Sequence, residues 1–169
     1  MAKSETVFLL SPAGLALAAH DGAVVVRPLL RADGWPRAFQ WRVTGLGTTF
    51  DPVVLFENLG EGGLLTLVDA AAAGGFGLRA PATAGDDGVW NVQAIGHTLS
   101  WHWWLNALPR NVLARPYDVA ELFFGAGGGF SIRLNADTSR TLAVRDAGGG
   151  VHATWLPAWV PATSLAVAL

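Results

Sequence analysis

Short apolar segments recur along the chain, and glycine- or proline-bearing breaks separate them every eight to twelve residues. That rhythm predicts many short antiparallel strands rather than helices. Candidate strands cover residues 7–10, 15–18, 24–27, 39–43, 53–56, 64–68, 76–79 and 89–95. They continue at 99–105, 112–115, 130–134, 141–145, 151–155 and 165–169. Two segments also carry helix grammar. Asp51-Pro52 precedes 53–59 and Gly60 in the order of cap, first-turn proline and terminal glycine, but the β-branched pair Val53-Val54 favours a strand. Residues 116–124, with Asp118 and Glu121 early and Gly125 after them, are open between helix and strand.

The segments repeat. Gly14-Leu15-Ala16-Leu17, His20-Asp21-Gly22 and Val24-Val25-Val26-Arg27-Pro28 form one unit. It recurs as Gly63-Leu64-Leu65-Thr66-Leu67-Val68-Asp69 followed by Phe76-Gly77-Leu78-Arg79-Ala80-Pro81. A third version reads Thr141-Leu142-Ala143-Val144-Arg145-Asp146, then Val151-His152-Ala153-Thr154-Trp155-Leu156-Pro157. An apolar strand precedes each unit (Phe8-Leu9-Leu10, Val54-Leu55-Phe56, Phe130-Ser131-Ile132), and another follows it around Trp41, around Trp90 and at 165–167. Four strands taken three times use the whole chain except 96–129. That segment is either an insertion or a degenerate fourth copy, since Thr98-Leu99-Ser100-Trp101 and Val112-Leu113-Ala114-Arg115-Pro116 echo the middle of the unit.

Three four-strand units with an Asp-Gly or Ala-Gly turn between the second and third strands resemble the β-trefoil, specifically its ricin-B-like lectin branch. The resemblance implies an all-β single domain over 1–169, a β-trefoil with an aromatic-rich insertion at 96–129 before the third repeat. It carries family function less far. The family's sugar-holding aspartate falls on Ala18, Val68 and Arg145, with Asp21, Asp69 and Asp146 one or more places later. Its stacking aromatic falls on Arg27, on Arg79 or Ala80, and on Trp155, so the third unit alone keeps a ring. One altered site, built on Trp155, Asp146 and His152, is what the resemblance leaves.

Charged residues make up 14% of the chain and apolar ones 51%, a composition that excludes intrinsic disorder. The net charge is -2 and the basic residues are scattered singly, so there is no stripe to collect phosphates and nucleic acid is not an expected partner. Without cysteine there is no thiolate nucleophile or Cys-ligated metal. The longest uncharged spans, 89–109 and 147–169, are broken by histidines and asparagines or by glycines and prolines, which argues against a spanning helix. Lys3, the apolar run 7–19 and the small residues Ala16 and Ala18 imitate a secretory signal. Glu5, Pro12 and Gly14 interrupt it, and the expectation is a cytoplasmic chain.

Candidate chemistry centres on the eight tryptophans. Trp41 and Trp90 sit in alternating strands and read as core. Trp35, in the turn Asp33-Gly34-Trp35-Pro36, and Trp155 and Trp159, flanking Pro157, are the candidate ligand aromatics beside Asp146 and His152. Trp101-His102-Trp103-Trp104, read as a strand, shows rings on both faces. It is either sandwiched against the barrel, an interface through which the chain self-associates, or the wall of an apolar pocket. In that last reading His102 and Glu121 supply a base and its orienting carboxylate. Arg27, Arg79, Arg115 and Arg133 recur at strand ends and are expected to close onto loop carboxylates. The glycine runs at 125–129 and 148–150 open strands rather than helices and read as turns, not phosphate cradles. No metal motif, serine-hydrolase context or cofactor signature is apparent. The leading expectation is a non-catalytic module recognising a glycan or protein through loop aromatics. The alternative is an enzyme or carrier with an aromatic-lined pocket for a small hydrophobic ligand.

Overall fold

A computed structural model describes residues 4–29, 36–46, 52–69, 75–81, 85–108 and 128–160. The first half of the chain forms β1 (Ser4–Leu10), β2 (Leu15–His20), β3 (Ala23–Pro28), β4 (Trp41–Gly45), β5 (Val53–Asn58) and β6 (Leu64–Leu67). Then come β7 (Phe76–Arg79), β8 (Trp90–Ile95), one α-helix α1 (Trp101–Ala107), β9 (Gly129–Leu134), β10 (Val144–Arg145), β11 (Val151–His152) and β12 (Leu156–Trp159). The protein is predominantly β, as the apolar rhythm predicts. Alternation sets the inner faces: β4 buries Trp41 and Val43, and β5 buries Val54, Phe56 and Asn58. In β1 the consecutive residues Val7, Phe8, Leu9 and Leu10 are all buried, which marks a strand covered on both faces.

Every ladder is antiparallel. Seven strands, in the order β1, β2, β3, β7, β6, β5 and β4, each pair with the next, and β4 returns to β1, closing a barrel. A second circuit runs from β1 through β4, β5, β8 and β9. It returns through the bridge between Phe130 and Trp155, then along β12, which pairs with β1. Closure of this kind removes the open edges that would otherwise invite aggregation.

Three registers coincide. Val7 lies opposite Trp41, Val54 opposite Trp90, and Phe130 opposite Trp155. Each of these tryptophans is fully buried, and each indole donates to a backbone carbonyl. Trp41 reaches Leu17 at 3.0 Å, Trp90 reaches Leu65 at 2.8 Å, and Trp155 reaches Leu142 at 3.3 Å. The bond that closes the next turn also recurs. The amides of Ser11, Asn58 and Leu134 donate to the carbonyls of Leu15, Gly63 and Arg140 at 2.7, 3.1 and 2.9 Å. The residues enclosed, 12–14, 59–62 and 135–139, differ in number, so the unit keeps its pairings while its turns change length.

The strand expected at 99–105 is α1. Ser100 caps it, its hydroxyl accepting from the Trp103 amide at 3.4 Å, and Trp101, Trp104, Leu105 and Leu108 fall on one buried face. That spacing is helical, but a run in which every residue from Trp101 to Leu105 is bulky satisfies alternation equally well. The third unit is also shifted. The sequence pattern puts Trp155 in its third strand, with the fourth at 165–169; instead β11 is only Val151–His152, and Trp155 stands at the head of β12 as the counterpart of Trp41 and Trp90. The segments expected at 112–115, 116–124 and 165–169 lie outside the described residues. Trp90 pairs with Leu134 as Trp41 pairs with Asn58, so the chain between β8 and β9 leaves the register of the circuit unchanged.

Asn58 ties one of these turns to its neighbour. Its side-chain oxygen accepts from the amides of Gly60 and Glu61, both at 2.9 Å, and its amide nitrogen donates to Ala38 at 2.9 Å. Gly60 is drawn so close that a Cβ there would stand 2.7 Å from both the nitrogen and the Cα of Ala38. Backbone cannot yield as a side-chain tip does. Gly60→Ala is therefore expected to destabilise the fold by about 1–3 kcal/mol. Chemical denaturation would measure it, and an unchanged midpoint would contradict the close approach.

Candidate functional site

The candidate residues fall into two places. The first is the third hairpin, where Asp146 follows β10 and His152 ends β11. The Asp146 carboxylate accepts from the amides of Gly148 and Gly150, both at 2.9 Å, and from Nε2 of His152 at 2.7 Å. Backbone bonds from Asp146 to Gly150 and from Gly149 to Asp146 complete the turn, and Arg145 donates to the Gly149 carbonyl at 3.1 Å. The sequence explains the arrangement: three consecutive glycines impose little order of their own, and one carboxylate gathers their amides. The His152 bond, then the Gly150 and Gly148 amides, hold the Asp146 carboxyl below its usual value of 3.8, against a smaller opposing effect of burial.

These bonds use the carboxylate oxygens that the family resemblance would give to sugar hydroxyls. The strand registers also revise the residue correspondence. Ala16, Leu64 and Thr141 face Leu10, Glu57 and Arg133, which aligns His20, Val68 and Arg145, and after them Asp21, Asp69 and Asp146. The aspartates are thus equivalent in position. In the first unit the turn amides bind a carboxylate from elsewhere: Glu61 accepts from Asp21 and Gly22 at 2.9 and 2.8 Å. Asp21 and Gly22 both have positive φ, 51° and 78°, which aims successive amides at one point. Sequence reasoning missed Glu61, whose only signal is its place in the Gly60-Glu61-Gly62 turn.

A lowered carboxyl pKa contributes stability that is present above the unfolded value and lost as pH falls through the folded one. The hairpin at 146–152 should therefore keep its order down to about pH 4 and lose it below that. Amide exchange or NMR shifts of Gly148 and Gly150 would follow the change. In Asp146→Asn the hairpin should be looser at neutral pH and should not respond to acid in this range; an acid transition retained in that variant would assign it to another group.

The second place is the end of the circuit where β8 finishes and α1 begins. The two sets of tryptophans that sequence kept apart meet here. Trp104 donates to the Pro157 carbonyl at 2.8 Å, and Trp159 donates to the Leu105 carbonyl at 2.9 Å, so α1 and β12 are stitched in both directions. Leu9, Val43, Phe56, Val92, Ile132 and Pro157, one from each strand of the second circuit, surround a wholly apolar void of about 10 Å³. Phe130 and Trp155 complete its wall, and Trp101 closes it. That is room for a single water at most, and a lining without polar atoms gives a water nothing to bond.

His102 is buried and stacks on Trp101 with ring centroids 4.0 Å apart. Trp103 is the exception, 55% exposed on the outer face of the same helix. Trp35 and Glu121 lie outside the described residues. Trp155 and Trp159 are interior side chains, with exposures of 0% and 9%, and so do not offer the ring faces expected of loop aromatics.

His97, Ser139 and Arg79 have structural partners. His97 Nε2 lies 3.0 Å from the Gly129 carbonyl while Nδ1 accepts from the Leu99 amide, which requires the neutral ring protonated at Nε2. Ser139 donates its hydroxyl to Asp137 within a surface turn, an interaction that lowers the Asp137 pKa. Arg79 reaches the Val68 carbonyl rather than the carboxylate expected for it. Among the described residues no three His, Asp or Glu side chains are grouped to hold a metal ion, and no helix is long and apolar enough to cross a membrane.

No protein-family model matches this chain. Nor does a search of curated proteins find a match.

Proposed function

We propose that the protein is a β-trefoil scaffold acting as a non-catalytic binding module, which recognises a glycan or protein ligand through Trp103. The trefoil reading is supported by the three coincident registers, each with a buried tryptophan bonded to a carbonyl of its own unit. The binding reading rests chiefly on one observation. Trp103 is exposed while its neighbours Trp101 and Trp104 are sunk into the barrel end, and Trp104 is bonded to β12. The exposed ring is thus presented on a helix that is anchored on its other side. An indole held this way loses little freedom on binding, and its apolar face suits either the C–H surface of a sugar or a pocket on a partner.

Trp103→Ala is expected to weaken binding at least about tenfold without lowering the melting temperature, because the side chain contributes little to the interior. A glycan array followed by titration of the retained ligand, in parallel with binding of purified protein partners, would measure this. Undiminished affinity in the variant would remove Trp103 from the site.

A further inference from the structure

The six buried tryptophans among the described residues differ in one respect. Five donate their indole N–H to a backbone carbonyl: Trp41, Trp90 and Trp155 within the three units, and Trp104 and Trp159 between α1 and β12. Trp101 does not. It is 3% exposed, and its Nε1 has no hydrogen-bond partner among the described residues. Burying an N–H without an acceptor is unfavourable, and natural structures rarely retain one without a reason.

Among the described residues, Trp101 is also the only side chain around the apolar void that the barrel strands and the start of β12 do not supply. Six strand side chains converge on the void beside its ring. The ring packs there by shape alone, imperfectly, since a void remains beside it. Its carrier is a short helix whose first turn, bearing Trp101, has one side-chain cap bond, 3.4 Å from the Trp103 amide to Ser100, while Trp104 and Trp159 tie the rest of the helix to β12.

We propose that the end of the barrel is a binding site for an uncharged apolar ligand of about the size of an indole or naphthalene ring, and that Trp101 is its resident occupant, displaced when the ligand enters. The chemistry follows from the lining. With no polar atom on the wall there is nothing to compensate a charge or a buried hydroxyl, so a ligand must be apolar in the part that enters. A hydrocarbon ring gives up nothing there, whereas the indole of Trp101 gives up the hydration of its N–H. Displacement would return that N–H to water. This site is distinct from the outer face of α1 that carries Trp103.

The test uses N-phenyl-1-naphthylamine, whose fluorescence rises on entering an apolar site. The wild-type protein should bind it saturably, with an apparent affinity reduced by the fraction of molecules in which Trp101 is still seated. Trp101→Ala removes the competitor and should bind at least about tenfold tighter. Ser100→Ala leaves the wall intact and weakens only the helix cap, so it should tighten binding a few-fold. Val92→Phe, which fills the void from the barrel side, should abolish binding. Trp103→Ala should leave binding unchanged, which separates failure here from failure of the Trp103 reading.

If Trp101→Ala folds poorly, indole added to it should raise its melting temperature while leaving that of Val92→Phe unmoved. Absence of saturable binding by the wild-type protein would overturn the proposal, even if Trp101→Ala binds, because Trp101 would then be a permanent part of the core. Equal affinity of wild type and Trp101→Ala would overturn it as well, by placing the probe elsewhere.

Discussion

Trp41→Ala, Trp90→Ala and Trp155→Ala are expected to destabilise the protein by similar amounts, about 3–5 kcal/mol each. The three side chains are fully buried, face the same partner position in their units, and bond to equivalent carbonyls. Losses of this size are a large share of the stability of any domain, and should lower the melting temperature by roughly 10 °C or more. The phenylalanine variants separate two contributions. They keep most of the apolar volume but leave a buried carbonyl without its donor, so they should lose about 1–3 kcal/mol. Thermal and denaturant melts of the six variants would check the series. A Trp155 variant far milder than the other two would mean that the third unit does not share their architecture.

Trp104→Ala should cost a similar amount, about 3–5 kcal/mol, for a different reason. Trp104 is 1% exposed and ties α1 to β12 through the Pro157 carbonyl. Its removal loosens one helix without disturbing the strand circuits. The exchange protection of α1 amides and of the Trp159 indole, which bonds to Leu105, should therefore fall before that of the barrel. Native-state hydrogen exchange distinguishes this from a core loss. Uniform loss of protection across strands and helix would show that α1 is integral to the barrel rather than seated on its end.

Much of the fold was legible because strands announce themselves twice, by alternation and by the turn residues between them. The runs Val53-Val54 and Val24-Val25-Val26 sit in strands as β-branching predicts, and the Asp21-Gly22 turn joins β2 to β3 with positive φ at both residues. The spacing of the units was less legible. The turns after Ser11, Asn58 and Leu134 differ in length, which hides the true correspondence of Ala18 with Thr66 and Ala143 behind a plausible slip of two residues, to Val68 and Arg145. In the third unit the hairpin strands have shrunk to two residues each, so its pattern gave no clue that Trp155 belonged to the following strand.

The candidate site was harder to read for a physical reason. Burial and exposure of tryptophan look alike in a sequence, and only packing separates Trp103 from Trp101 and Trp104. Asp146 and His152 are each expected from the sequence as ligand residues, yet the carboxylate bonds the histidine and gathers two turn amides that no side-chain pattern reveals. Glu61 crosses from one unit to the turn of another, over a separation that local reading does not span.

The central claim, three units in one register around a shared core, is tested most directly by NMR of the indole N–H protons. Each of Trp41, Trp90 and Trp155 should show a slowly exchanging Nε1 proton with cross-peaks to the leucine of its own unit, Leu17, Leu65 and Leu142 in turn. A Trp155 proton that exchanges as fast as that of exposed Trp103, or that contacts a different strand, would contradict the account.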